Sequence, residues 1–180
     1  MKATISPERL TLPIGTRDHI QGLIKAPMIL LEYGDYECPF CGQAHPVLKQ
    51  IQQALGKKLC FAYRHFPLTQ VHPHSEHAAE AAEAAEAQGS FWEMHDLLFE
   101  NQEALEDEYL ASYATALELD VSRVVEEVLS GAHTARVRED FLSGIKSGLN
   151  GTPTFFMNGM RYDGPRDART MIATLEELYV

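Results

Sequence analysis

The sequence predicts an α/β fold split by an all-helical insertion, and three observations predict it. An apolar run at 28–33, a helical pattern at 39–55 and an aromatic-rich run at 58–66 make a βαβ unit. From residue 74 to 149 only helical patterns occur. After Asn150-Gly151 strand signals return, with a hairpin turn at Asn158-Gly159 and one last helical stretch. The implied organisation is an N-terminal arm (1–17), two halves of a sheet-and-helix core (18–68 and 149–180), and a helical insertion (69–148).

Each element has a local reason. Residues 1–17 hold Pro7, Pro13 and Gly15 with no periodicity, and read as a loosely held arm. Residues 18–22 suit a short edge strand, and 22–27 a turn. Residues 28–33 form a continuous apolar run, as in a central strand covered on both faces. The helix at 39–55 opens on Pro39, whose missing N–H is not needed at the first helical position. It closes at Gly56 in the C′ position, and Pro46 inside it should kink it. A helix between two apolar strands implies parallel pairing with a right-handed crossover.

In the insertion, the Ala/Glu run at 75–88 stops at Gly89. Ser90-Phe91-Trp92-Glu93 matches a capping box, and Phe91, His95, Leu98 and Phe99 share one face of the helix that follows. Residues 105–119 are helical, and Asp120 caps a helix that ends at Gly131. Residues 134–149 align Val137, Phe141, Ile145 and Leu149. Residues 153–157 and 160–162 flank the hairpin turn. Asp167 caps a last helix with Met171, Ile172, Leu175, Leu178 and Tyr179 on one face.

A length of 180 residues is ample for one core. A net charge of −11 argues against nucleic acid and anionic membrane as partners. The first fifteen residues have one early lysine and no apolar h-region, and no run approaches the roughly 20 apolar residues of a membrane span. The expectation is a soluble, cytoplasmic monomer. A cytosolic disulfide is usually transient and catalytic, so cysteines here point to chemistry before structure.

That chemistry centres on Cys38-Pro39-Phe40-Cys41, where a strand stops and a helix starts. First-turn N–H groups lack intrahelical partners and the helix dipole is positive there, so a thiolate is favoured. A Cys-X-X-Cys at such a place can titrate at roughly 3.5–7.5. One helical turn separates the sulfurs, which lets Cys41 attack a mixed disulfide on Cys38. A metal is the competing use of the pair. Zinc wants four ligands, and the third cysteine, Cys60, is alone in an apolar strand as a small hydrophobe. His72, His74 and His77 form a His-x-His-x-x-His pattern that could join the cysteines, but Pro73 breaks its geometry and a helix start with solvent-facing rings suits it better. His95 reads as a packed helix residue. Thiol exchange needs no organic cofactor and no metal.

These residues resemble the DsbA-like branch of the thioredoxin superfamily. Four features carry the resemblance: the Cys38–Cys41 motif at a strand-to-helix junction; Gly151-Thr152-Pro153-Thr154-Phe155-Phe156, which looks like the family's cis-proline loop; Glu32, six residues before Cys38, where the family places a buried acid; and the size and place of the helical block. It implies a thioredoxin fold, βαβ–ββα, with the insertion between its halves, over residues 18–180. It implies that Cys38 attacks and is the more exposed thiol, that Cys41 resolves, and that Pro153 is cis beside them. Thr152 would pair its backbone with substrate peptide, and Gly144 and Gly148 would allow close packing near that loop. Glu32 on an apolar strand would be buried, with a raised pKa, and could exchange a proton with Cys41. The departure is Phe40, where the family's strongest oxidant has a histidine. Phe40 cannot donate to sulfur, and Asp35 and Glu37 oppose a thiolate. The couple is therefore expected to be less oxidising than roughly −120 mV. The function expected is thiol–disulfide oxidoreduction on protein or small-molecule thiols. The alternatives are a peptide-binding module with incidental redox activity and a metal-binding protein.

Overall fold

The computed structural model describes residues 5–179. In chain order the strands are β1 (Ile5–Arg9), β2 (His19–Gly22), β3 (Met28–Gly34), β4 (Leu59–His65), β5 (Thr154–Met157) and β6 (Met160–Tyr162). The helices are α1 (Pro39–Leu55), α2 (Ser75–Glu86), α3 (Phe91–Glu100), α4 (Asp107–Ala116), α5 (Val121–Ser130), α6 (Thr134–Lys146) and α7 (Ala168–Glu177). The sheet order is β1-β6-β5-β3-β4-β2. β3 and β4 run parallel, as a βαβ unit requires, and the other pairs are antiparallel. The fold is thioredoxin-like, with its helical insertion between β4 and β5. Among the described residues, no strand lies between β4 and β5, and no helix is long and apolar enough to cross a membrane.

Alternation along β3 divides the core. Met28 and Leu30 face α1 and α7, packing on Leu48, Ile51, Phe155, Met171 and Leu175. Leu31 and Tyr33 face the other way, onto Phe66, Leu149 and Phe156, with Phe141 of α6 against them. Glu32, in phase with Leu30, therefore points to the α1 side. The insertion has its own apolar cluster, which continues into the site: Ala78, Ala82, Phe91, Leu98 and Val124 pack in one cluster with Tyr36, Cys38, Cys41 and Tyr63.

Several expectations are corrected. The arm is not loose: Ile5–Arg9 is an edge strand paired with β6, and Leu10 and Ile14 pack against the core. The expectation's first four residues lie outside the described ones. What holds the segment is Arg64, fully buried on β4. It donates to the carbonyls of Leu12 and Pro13 at 2.9 and 3.2 Å, to Tyr33 Oη at 2.8 Å, and to both oxygens of Asp18 at 2.7 and 3.0 Å. The capping box at Ser90 makes no side-chain cap bond, whereas Asp120 and Asp167 do cap, accepting from Arg123 N and Thr170 N. Ile145 and Tyr179 are exposed. Val137, Phe141 and Leu149 pack inward as expected, and the buried face of α6 also carries polar groups: Asp140 accepts from the His65 N–H at 3.1 Å, and Ser143 Oγ lies 2.7 Å from Tyr33 Oη. Gly144 admits the Phe66 ring, since a Cβ there would collide with it; its neighbour is that ring and not the proline loop.

Candidate active site

Cys38 is the N-cap residue of α1 and Pro39 occupies the first turn. The loop is braced from both sides. Gln102 of the insertion donates Nε2 to the carbonyls of Tyr36 and Cys38 at 2.7 and 2.8 Å, in space that a side chain at position 42 would take from it. The Thr152–Pro153 peptide bond is cis, and Thr152 O lies 3.5 Å from Cys38 Sγ. Arg166 Nη2 donates to Pro153 O at 3.2 Å. The resemblance pointed to Pro153 and Thr152; Gln102 and Arg166 had no local signal, because a lone Gln or Arg in a loop looks like surface.

Cys38 is 3% exposed and Cys41 0%, so Cys38 is the more exposed thiol, by a sliver. Phe40, at 58%, is the exposed member of the motif. The Cys38 pKa is lowered to about 5. The main cause is the Cys41 thiol, which donates to the thiolate. The Thr152 side chain and the N–H groups of Cys41 and Phe40 add to it, and burial opposes them. The Thr152 hydroxyl is buried and has no hydrogen-bond partner in the structure. Backbone and neighbouring thiol thus supply what Phe40 cannot.

Cys41, wholly buried, is pushed well up, first by burial and then by the hydrogen bond to Cys38 and the charge of Glu32. Glu32 is buried, and neither carboxyl oxygen has a hydrogen-bond partner. Burial raises its pKa to about 8, helped by the Cys38 charge and countered by Arg166. Burial likewise raises Cys60.

Asp35 and Glu37, expected to oppose the thiolate, are both engaged in hydrogen bonds. Asp35 accepts from the N–H groups of Glu37 and Leu68 and pairs with His72 Nδ1, each at 2.8 Å; Glu37 accepts from His74 N at 2.7 Å. Both acids tie the loop after β4 to the active-site loop. His72 and His77 pair with different carboxylates, Asp35 and Asp107, so the suspected histidine cluster does not gather. Among the described residues, the compact His/Cys/Asp/Glu groups are His19–His65–Glu83 and His45–His95–Asp96. Behind the dithiol, Tyr36, Tyr63, His95 and Phe99 form an aromatic wall, with Tyr36 Oη 3.0 Å from His95 Nδ1.

A dithiol capping a helix beside a cis-proline loop defines a thioredoxin-fold dithiol protein. The family model described as thioredoxin matches residues 15–177, and the chain belongs to that family. Its fold is that of the DsbA-like oxidoreductases. Oxidised BdbD from Bacillus subtilis is 22% identical with a TM-score of 0.85, covering 99% of both chains. DsbA2 of Pseudomonas aeruginosa is 25% identical with a TM-score of 0.73, over 93% of this chain and 96% of that one. Curated sequence relatives bear another name. A Na(+)/H(+) antiporter NhaA 1 of Mycobacterium sp. (strain KMS) is 46% identical over 162 residues, 89% of this chain but 26% of the relative. An NhaA of Herminiimonas arsenicoxydans is 43% identical over 159 residues, covering 88% of this chain and 25% of the relative. The chain thus spans about a quarter of the length of these relatives.

Proposed function

We propose that this protein is a thiol–disulfide oxidoreductase of DsbA type acting on protein thiols and disulfides. The observation that carries the reading is the pairing of opposite thiols: Cys38 held as thiolate by Cys41, and Cys41 held as thiol above an unpartnered carboxyl. In the reductive direction the Cys38 thiolate attacks one sulfur of a substrate disulfide, forming a mixed disulfide and releasing the other sulfur as thiolate. Glu32, as carboxylate, takes the Cys41 proton. The Cys41 thiolate then attacks Cys38 Sγ, closing the Cys38–Cys41 disulfide and releasing the second substrate thiolate. The oxidative direction is the reverse, with Glu32 returning the proton.

Several observations support the remaining roles. Thr152 O beside Cys38 suits an extended peptide adding a short strand at the proline loop. Exposed Phe40 offers that peptide an apolar contact. The dithiol, Glu32 and the proline loop all come from one chain, which supports a monomer as the working unit. Small-molecule thiols and disulfides use the same sulfur. The antiporter names describe much longer chains; the stretch shared with them includes the dithiol, and it is thiol chemistry that we assign to it.

The test is insulin reduction with a dithiol donor, together with trapping. Cys38→Ser should abolish turnover, and Cys41→Ser should accumulate a mixed disulfide on Cys38. Turnover that survives Cys38→Ser would sink the assignment.

A further inference from the structure

We propose that His45, His95 and Asp96 form a binding site for a divalent transition metal of the zinc class, clipping α1 of the core to α3 of the insertion. His45 stands on α1 one turn beyond Cys41. His95 and Asp96 are neighbours on α3. One ligand atom from each of the three lies within 4.8 Å of the other two.

The decisive pair is His45 Nε2 and Asp96 Oδ1, 3.6 Å apart. That is too long for a hydrogen bond; buried His45 Nε2 has no hydrogen-bond partner, and Asp96 Oδ1 accepts no hydrogen bond although the Lys49 ammonium stands 2.7 Å from it. Buried polar atoms normally find partners. Two ligands of one tetrahedral zinc, each at roughly 2.0–2.2 Å from it, stand roughly 3.3–3.6 Å from each other. The gap between His45 Nε2 and Asp96 Oδ1 is of that size. His95 completes the set. The Tyr36 hydroxyl on its Nδ1, at 3.0 Å, leaves Nε2 as the free nitrogen and fixes the ring, as outer partners of ligating histidines do. The Asp96 side chain is 32% exposed, which gives an ion a way in and water a fourth position.

The other compact group is a poorer host. In His19–His65–Glu83, Glu83 Oε1 already takes hydrogen bonds from both imidazoles, at 2.8 and 2.9 Å, and the Arg136 guanidinium stands 3.9 Å off. At Asp96 the Lys49 ammonium lies 2.7 Å from each carboxylate oxygen, with its hydrogen bond on Oδ2. Lys49 competes with a metal from the solvent side and should hold the affinity down. Two imidazoles and a carboxylate select zinc, copper(II) or nickel over magnesium or calcium. Because the ligands meet only when α1 and α3 are docked, the ion binds the folded chain and stabilises it by mass action.

The test uses the full chain with Cys38 and Cys41 oxidised to their disulfide, and in parallel Cys38→Ser/Cys41→Ser, so that no active-site thiolate competes. Zinc is titrated by calorimetry and cobalt by absorption. One site per chain is expected, with a cobalt spectrum free of sulfur charge transfer and a Tm that rises with zinc. His45→Phe, which keeps the ring packed on Phe99, and Asp96→Asn should each weaken zinc at least tenfold. Lys49→Met should tighten it severalfold, an effect that loss of packing cannot mimic. The proposal is overturned if no saturable site is found. It also falls if the site keeps its affinity within twofold in both His45→Phe and Asp96→Asn, or is lost instead in Glu83→Gln or His72→Asn.

Discussion

At the scale of residues, two buried acids carry opposite shifts and opposite pH signatures. Cys38 is lowered to about 5, so the reduced fold gains stability as pH rises from there toward the unfolded thiol's ordinary value. Glu32 is raised to about 8; its unfolded counterpart loses its proton near 4.5, so the fold loses stability between those values. One pKa unit is about 1.4 kcal/mol, which makes the Glu32 cost on the order of 3–5 kcal/mol above pH 8. Glu32→Leu should therefore stabilise the protein, little at pH 5 and most near pH 9, as read from denaturant midpoints. Gains that do not grow with pH would mean that Glu32 is ionised in the fold. Thr152→Val removes a hydroxyl that helps to lower the Cys38 pKa. The pH midpoint of Cys38 alkylation, expected at about 5, should rise by roughly half to one unit, in line with about 1 kcal/mol for one hydrogen bond. Cys41 and Cys60 should stay unreactive; a faster Cys60 would overturn the assignment of the nucleophile.

At the scale of elements, what could be read from the sequence were features written within a few residues. The dithiol motif, the proline loop, the Asn158-Gly159 turn, and the caps Asp120 and Asp167 all lie where their local patterns put them. What escaped were pairings across long stretches of chain. Arg64 binds carbonyls 51 and 52 residues earlier, and Asp140 receives the His65 N–H from 75 residues away. No local pattern announces such partners: Arg64 stands in a run otherwise rich in aromatic and apolar residues, and the polar contacts of α6 do not follow its apolar spacing. The same blindness hid Gln102 and the His45–Asp96 pair. Arg64 makes the N-terminal segment part of the fold. Asp18 shows the cost avoided: burial alone would raise its pKa, and the Arg64 hydrogen bonds bring it below the ordinary value. Arg64→Leu should leave that carboxylate buried and unpaired, at a cost of about 3–5 kcal/mol. Limited proteolysis should then cut the segment between β1 and β2 first. An intact segment in a destabilised variant would place the damage elsewhere.

At the scale of the whole molecule, the redox poise is the difference between how well the entire fold holds the reduced and the oxidised sulfur pair. A folded thiolate midpoint near 5 lies two pH units below neutrality, so the reduced form gains about 2.7 kcal/mol at pH 7. At roughly 30 mV per 1.4 kcal/mol, that is about 60 mV toward an oxidising couple. Thioredoxin, with a thiol near 7, sits at about −270 mV, and DsbA, near 3.5, at about −120 mV. Cys38 falls between them, and the potential measured against glutathione should too. The slope with pH is a sharper check. Below pH 5 reduction takes up two protons with two electrons, whereas above it Cys38 stays ionised and only one is taken up. The potential should then fall by about 60 mV per pH unit below the break and about 30 mV above it, since one tenfold step in a two-electron couple is about 30 mV. Phe40→His would add a donor that the present loop lacks, raising the potential by about 30 mV for one hydrogen bond and moving the break to lower pH. A potential that rises while the break stays near 5 would show that the new side chain acts on the disulfide, and that thiolate stabilisation does not set the poise of this fold.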